Sequence, residues 1–371
     1  MSLGARARSA ALLCGAALLG CGSDQRPTAR VTIPGGSSMR AAAESLHSAG
    51  VIESPRLFQL YAKLRRSDRG IKPGTYVLPR DGGWNFVLSA LREGRGIVTV
   101  VTVPEGFTLA QIEALLVQKL GVPADSVRVA VRDTALLQRL DVPTPALEGY
   151  LFPDTYFFSP GSSARVAVAA MVKRFEQRWR PEWSGRADTL QLSRHDLLTL
   201  ASIVEREAKL PRERAIIAAV YWNRLRRGML LQADPTVQYA LPEYQTRLLN
   251  KHLTVQSRYN TYRYKGLPPG PIGAPGAASI QATLYPASVP YLYFVAHPDG
   301  HHEFRTKLEE HNAAVRVARR AWRRVREQEA AAAKAGAATK ATAPGAVPAP
   351  QSRVAPSKTK SSAAANSGDS S

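Results

Sequence analysis

The chain has 371 residues, 44% of them hydrophobic, with 50 Lys and Arg against 29 Asp and Glu for a net charge of +21. That length calls for two folded domains with appendages, and the apolar share suffices for sizeable cores. So basic a chain points to a polyanionic partner, but no zinc-finger spacing, RNP motif or helix-turn-helix pattern is present. Nucleic acid is thereby set aside, leaving an anionic membrane face or an acidic wall polymer.

In chain order, residues 1–21 read as a targeting segment. Arg6 and Arg8 precede an apolar run from Ser9 to Gly20, which has the proportions of a secretory signal and is short for a transmembrane helix of ~20 residues. Its ending, "LLGC", resembles the lipobox of bacterial lipoproteins, with Cys21 as the residue to be lipidated; an uncleaved signal anchor is the alternative. Both place the remainder on the extracytoplasmic (periplasmic) side of a bacterial cell envelope, anchored to the membrane. Cys14 and Cys21 are the only cysteines, so the body has neither a disulfide framework nor a cysteine-based metal site.

Residues 28–100 form the first predicted domain. "VTIPGGSSM" from Val31 is echoed by "VTVPEGFTL" from Val101, each a β-branched strand, a Pro/Gly turn and the start of a helix. The first helix carries Met39, Ala42, Ala43 and Leu46 and stops at Gly50. The next begins at Ser54 with Pro55 in its first turn, and Leu57, Leu60, Tyr61 and Leu64 give it an apolar face. "KPGTYVL" then reads as a turn and a strand. This strand–helix–helix–strand unit resembles the LysM-type fold, which implies binding of N-acetylated sugar polymers; a docking domain without the sugar site is the alternative.

Residues 101–328 read as a larger mixed α/β domain, so the predicted fold class is α+β: a small LysM-like module followed by a catalytic domain. Helices are expected around Val166–Trp179, from Ser193 with Asp196 three residues on as in a capping box, and from Glu309 to Glu327; "VPYLYFVA" is a strand. The last helix contains "RVARRAWRRVR", whose basic face is either solvated or turned to an anionic polymer. Residues 329–371, rich in Ala, Lys, Pro, Ser and Thr, are predicted to be a disordered tail.

"LASIVEREA", Leu200 to Ala208, sets Glu205 and Glu207 two residues apart on the predicted helix. On a helical wheel Leu197, Leu198, Leu200, Ala201, Val204 and Ala208 share a face that includes Glu205, while Glu207 falls at the opposite margin. A carboxyl on an apolar face is costly unless paired or protonated, and burial makes it a competent acid near neutrality. The wheel favours Glu205, with an ion pair to a nearby arginine as the structural alternative. "LEGYLFPDTYFFSPG" from Leu147 supplies Glu148 and Tyr150 among aromatics suited either to sugar faces or to docking the domains. "LLQADPTVQYA" supplies Gln232 and Asp234, and "RYNTYRYKGLPPGPIGAPG" supplies Asn260, Tyr262 and a stiff Pro/Gly loop. His297, His301, His302 and His311 have no known metal-site spacing, and no metal or cofactor is expected.

Together "LEGYLFPDTY", "ASIVERE", "NRLRRGMLLQADPTVQYA", "YNTY", "GLPPGPI", "YLYFVA" and the closing "HN" resemble, in order, the MltG (YceG-like) endolytic murein transglycosylases, from Val31 to Asn312. "GAPG" stands where an Asn usually precedes the Pro-Gly, and the short lipobox-like start replaces a transmembrane helix. The resemblance implies cleavage of MurNAc-β-1,4-GlcNAc bonds within peptidoglycan strands by a single glutamate, with a 1,6-anhydro end formed. It maps that glutamate to Glu205, with Glu148, Tyr150, Gln232, Asp234, Asn260 and Tyr262 orienting sugar, and implies peptidoglycan synthases as partners. The competing readings are a two-carboxylate muramidase using Asp234 or Glu148 with Glu205, and a non-catalytic wall-binding scaffold.

Overall fold

The computed structural model describes residues 27–341, and side chains up to residue 333. Strand β1 (Thr28–Ile33), helices α1 (Met39–Ser48) and α2 (Pro55–Leu64), strand β2 (Gly74–Pro79) and helix α3 (Gly83–Glu93) build the first unit. β1 and β2 pair antiparallel, Val31 opposite Tyr76, in the strand–helix–helix–strand order of the sequence pattern. The hydroxyls of Ser38 and Ser54 accept from the Ala41 and Leu57 amides and so start α1 and α2. α3 is absent from the sequence reading. The inward side of α2 also differs: Phe58 and Ala62 are buried, whereas Leu57, Leu60 and Leu64 are 56%, 55% and 77% exposed. A helix with apolar residues on more than one side leaves the choice to its neighbours, and Phe58 fills the space against Trp84.

β3 (Ile97–Thr102) pairs with β2 on one side; after α4 (Leu109–Leu120), α5 (Ala124–Ala130) and α6 (Thr134–Arg139), β4 (Thr155–Phe158) pairs on its other side. One sheet of order β1-β2-β3-β4 therefore spans both units. The cores stay separate: one runs from Ala29 to Leu91 and the next opens at Val101. Phe157 on β4, 39% exposed, receives the Arg30 guanidinium at 4.5 Å across that junction, the docking role rather than the sugar-stacking one.

The second unit continues with α7 (Ala164–Arg178), α8 (Pro181–Thr189), α9 (Arg194–Glu207), α10 (Arg214–Arg226), α11 (Asp234–Ala240) and α12 (Ala277–Leu284). A hairpin of β5 (Tyr293–Ala296) and β6 (His302–Arg305) follows, then α13 (Leu308–Ala341). α9 is the central element: residues 197 to 204 are all buried, and α8, α10, α11 and α12 surround it. Its Ser193 hydroxyl accepts from the Asp196 amide and donates to the Asp196 carboxylate, a variant of the expected capping box. α13 packs on the β5–β6 hairpin through Ala314 and Ala318 and runs on to Ala341. Residues 329–341, expected to be disordered, are thus helical, as their alanine content favours. Among the described residues no helix is long and apolar enough to cross a membrane; Cys21 and the rest of residues 1–21, and the tail beyond 341, lie outside them.

Candidate active site

The two glutamates leave the end of α9 in different directions. Glu205 turns to the start of α12 and α10: its Oε2 accepts from the Gly276 amide at 2.9 Å and its Oε1 from Arg214 at 3.1 Å. The two side chains are 6% and 15% exposed. A carboxylate at the N-terminus of α12, paired to α10, joins three helices. A side chain at Gly276 would strike Glu105, its Cβ falling 1.8 Å from Oε1. The arginine pairing set against the wheel's preference is therefore what Glu205 adopts, with Arg214 as its partner.

Glu207 points the other way, into a cavity of about 460 Å³ that Glu205 does not line. The Tyr221 hydroxyl donates to its Oε1 at 2.9 Å; its other oxygen makes no hydrogen bond among the described residues. Burial, with the negative charge of Asp234 adding to it, pushes the carboxyl from 4.5 up to about 7, against the pull of Tyr221, Lys209 and Arg206. It can thus donate a proton near neutrality and take one back.

The cavity gathers Gln232, Asp234 and Tyr262 around Glu207. The Tyr262 hydroxyl donates to Asp234 Oδ1 at 2.5 Å; burial and that bond raise the phenol's pKa, so it stays a donor. Gln232 sits at φ +51, a left-handed conformation uncommon for a residue with a side chain, and Arg224 donates to its Oε1 at 3.3 Å. The buried Arg224 also donates to the carbonyls of Leu231 and Leu292, fixing that loop to the β5 side of the cavity. His311 and Arg319 of α13, which packs on β5, also line the cavity.

Three other sequence candidates lie elsewhere. Glu148 lines a separate cavity of about 600 Å³ with Arg206 and Tyr239. It accepts from the Leu109 amide with both oxygens and from the Tyr239 hydroxyl at 3.0 Å, so it holds the start of α4. Burial pushes it from 4.5 to about 7, opposed by those donors and Arg206. Tyr150 is fully buried, its hydroxyl 3.0 Å from His195 Nδ1, and presents no face to a sugar. Asn260 is fully buried as well: its amide donates to Leu253 and Val255 and its Oδ1 accepts from the Tyr262 amide, so it shapes the loop that carries Tyr262. Tyr221 and Arg224, on the face of α10 turned to the cavity, carry no signal in the local sequence pattern that sets them apart from core residues. Of the histidines, His297 and His301 stack on each other at 4.4 Å and bond to Glu303 and Asp299, while His302, which bonds to Glu213, and His311 line the cavity.

Comparison with known proteins matches residues 31–317 to the YceG-like family. An endolytic murein transglycosylase of Bacillus subtilis is 36% identical over 307 residues, covering 78% of this chain and 85% of its own. One of Streptococcus pneumoniae D39 is 27% identical over 330 residues, covering 80% of this chain, which spans 60% of that longer protein. The crystal structure of a yceG-like protein from Listeria monocytogenes is 34% identical with a TM-score of 0.57, covering 77% of this chain and 98% of that one.

Proposed function

Since the chain belongs to the YceG-like family and is a lytic transglycosylase acting on peptidoglycan, we propose that Glu207, rather than the Glu205 of the sequence reading, is its acid and base. Protonated Glu207 gives its proton to the glycosidic oxygen between MurNAc and GlcNAc, and the C1–O bond breaks to leave a hydroxyl on the departing sugar. The carboxylate then takes the proton of the muramic C6 hydroxyl as that oxygen closes on C1, giving a 1,6-anhydro end and restoring the acid. Asp234 faces the positive charge that builds at C1, Tyr262 holds Asp234 in place, and Gln232 is placed to bond the sugar. The observation that carries this reading is a carboxyl pushed to about 7 inside the cavity that also holds Gln232, Asp234 and Tyr262. Glu205, spent on Arg214 and Gly276, is structural.

The strand–helix–helix–strand unit supports a LysM-like module that holds the glycan. Cys21 or the apolar run before it tethers the protein to the extracytoplasmic membrane face, beside synthases that extend the strands. A second reading, a muramidase, draws on the presence of Asp234 in the same cavity: two carboxylates there would let water attack C1. Mass spectrometry of fragments released from purified sacculi separates the two. Anhydro-ended fragments are expected; fragments with reducing ends alone would overturn the transglycosylase step.

A further inference from the structure

α2 presents an apolar face to water in addition to the one it buries. Leu57, Leu60 and Leu64, spaced by three and four residues, are 56%, 55% and 77% exposed and form one stripe. Tyr61, packed edge-on to Trp84 at 5.7 Å, joins the stripe to the core. Exposed Arg56 and Lys63 border its other side, and exposed Arg65 and Arg66 follow the helix. From residue 54 to 67 every charged side chain is basic. Among the described residues, Phe58 and Ala62 fill the packed side of α2 and the three leucines lie outside it.

We propose that this face of α2 docks on an anionic lipid surface, the leucines entering the headgroup boundary and the basic border meeting lipid phosphates. An apolar stripe edged by Lys and Arg is the pattern of a helix lying in a membrane interface. The proposal rests on the reading of a membrane-tethered N-terminus, which supplies the reach. Cys21 precedes Thr28, the first residue of β1, by a few residues; at no more than about 3.6 Å per residue the tether holds the module within about 25 Å of the lipid. So short a tether raises the local concentration of lipid at α2, and a modest affinity is enough to hold the module on the surface. A docked module fixes the height of the catalytic cavity above the bilayer, close to strands still being extended.

The test uses the unlipidated chain from residue 22 onward, sedimented with vesicles of phosphatidylcholine alone or with a quarter phosphatidylglycerol. The expected result is partition to the anionic vesicles, falling about tenfold or more in Leu57→Ser/Leu60→Ser/Leu64→Ser, which leaves every charge in place. Arg56→Glu/Lys63→Glu should lower binding to anionic vesicles alone. The exposed leucines can be changed without disturbing the core; if the triple variant melts early, Leu64→Ser alone provides the comparison, with a smaller loss. Unchanged partition in the leucine variants, or no partition by the native chain, overturns the proposal. So does a concentration-dependent dimer, or sacculus binding, that disappears in the triple variant in place of vesicle binding, since the stripe then meets a second copy or glycan. Membrane extraction of the full chain with Cys21→Ala tests the tether separately, and its failure would leave the vesicle result standing.

Discussion

Replacing Glu207 by glutamine should abolish activity and yet stabilise the protein at alkaline pH. The folded state moves this carboxyl from 4.5 to about 7, chiefly by burial and by the charge of Asp234. Between those values the native chain holds a proton that the unfolded chain has released, so stability declines as pH rises through that window. At about 1.4 kcal/mol per pH unit the ionised group costs the fold at most about 3.5 kcal/mol above neutrality, and solvent screening through the cavity mouth lowers this to about 1–3 kcal/mol. Glutamine carries no charge, and its carbonyl can still accept from Tyr221, so the variant escapes that cost. Denaturant unfolding should show the variant more stable by about 1–3 kcal/mol near pH 8 and equal to the native chain near pH 4, where both side chains are neutral. Glu148, also at about 7, titrates alike in both proteins and cancels. A variant less stable near pH 8 than near pH 4, relative to the native chain, would mean that the fold favours the ionised carboxylate, and would refute the reasoning.

Glu205→Gln should have the opposite effect on stability: it removes the charge paired with Arg214 at 3.1 Å and leaves that arginine only the half-exposed Glu105 at 4.0 Å, so unfolding should show a loss of about 1–3 kcal/mol. Asp234→Asn removes a negative charge that holds Glu207 up. The acid's pKa drops, and the alkaline limb of the kcat/KM profile should move to lower pH by on the order of one unit. Tyr150→Phe deletes a buried hydroxyl beside His195; it should cost about 1 kcal/mol in unfolding and leave glycan cleavage intact. A loss of cleavage with the fold preserved would return Tyr150 to the sugar site.

Much of the architecture was legible because caps and turns announce themselves. Ser38, Ser54 and Ser193 start helices where their side chains suggest, and the Pro/Gly punctuation separates the elements. α3 carried a signal that went unused, with Val87, Leu88 and Leu91 inward and Gly94 in the left-handed stop position. The helical wheel alone does not separate the two glutamates of α9, for a physical reason. It assumes one buried face, but α9 is enclosed by four helices, so its angles do not tell core from cavity. What separates Glu205 from Glu207 is their partners, Arg214 from α10 and Gly276 before α12 for one, Tyr221 from α10 for the other. Those contacts depend on how distant segments pack. Of the sugar-orienting candidates read from the sequence, Gln232, Asp234 and Tyr262 share one cavity, whereas Asn260 bonds within its own loop.

The most direct measurement is glycan release from purified sacculi by the native chain, Glu207→Gln and Glu205→Gln, each verified as folded at the assay temperature. Release is predicted to vanish in Glu207→Gln and to persist in Glu205→Gln wherever that variant remains folded. Persistent release by Glu207→Gln, with a folded but inactive Glu205→Gln, would contradict the assignment and return the acid to Glu205.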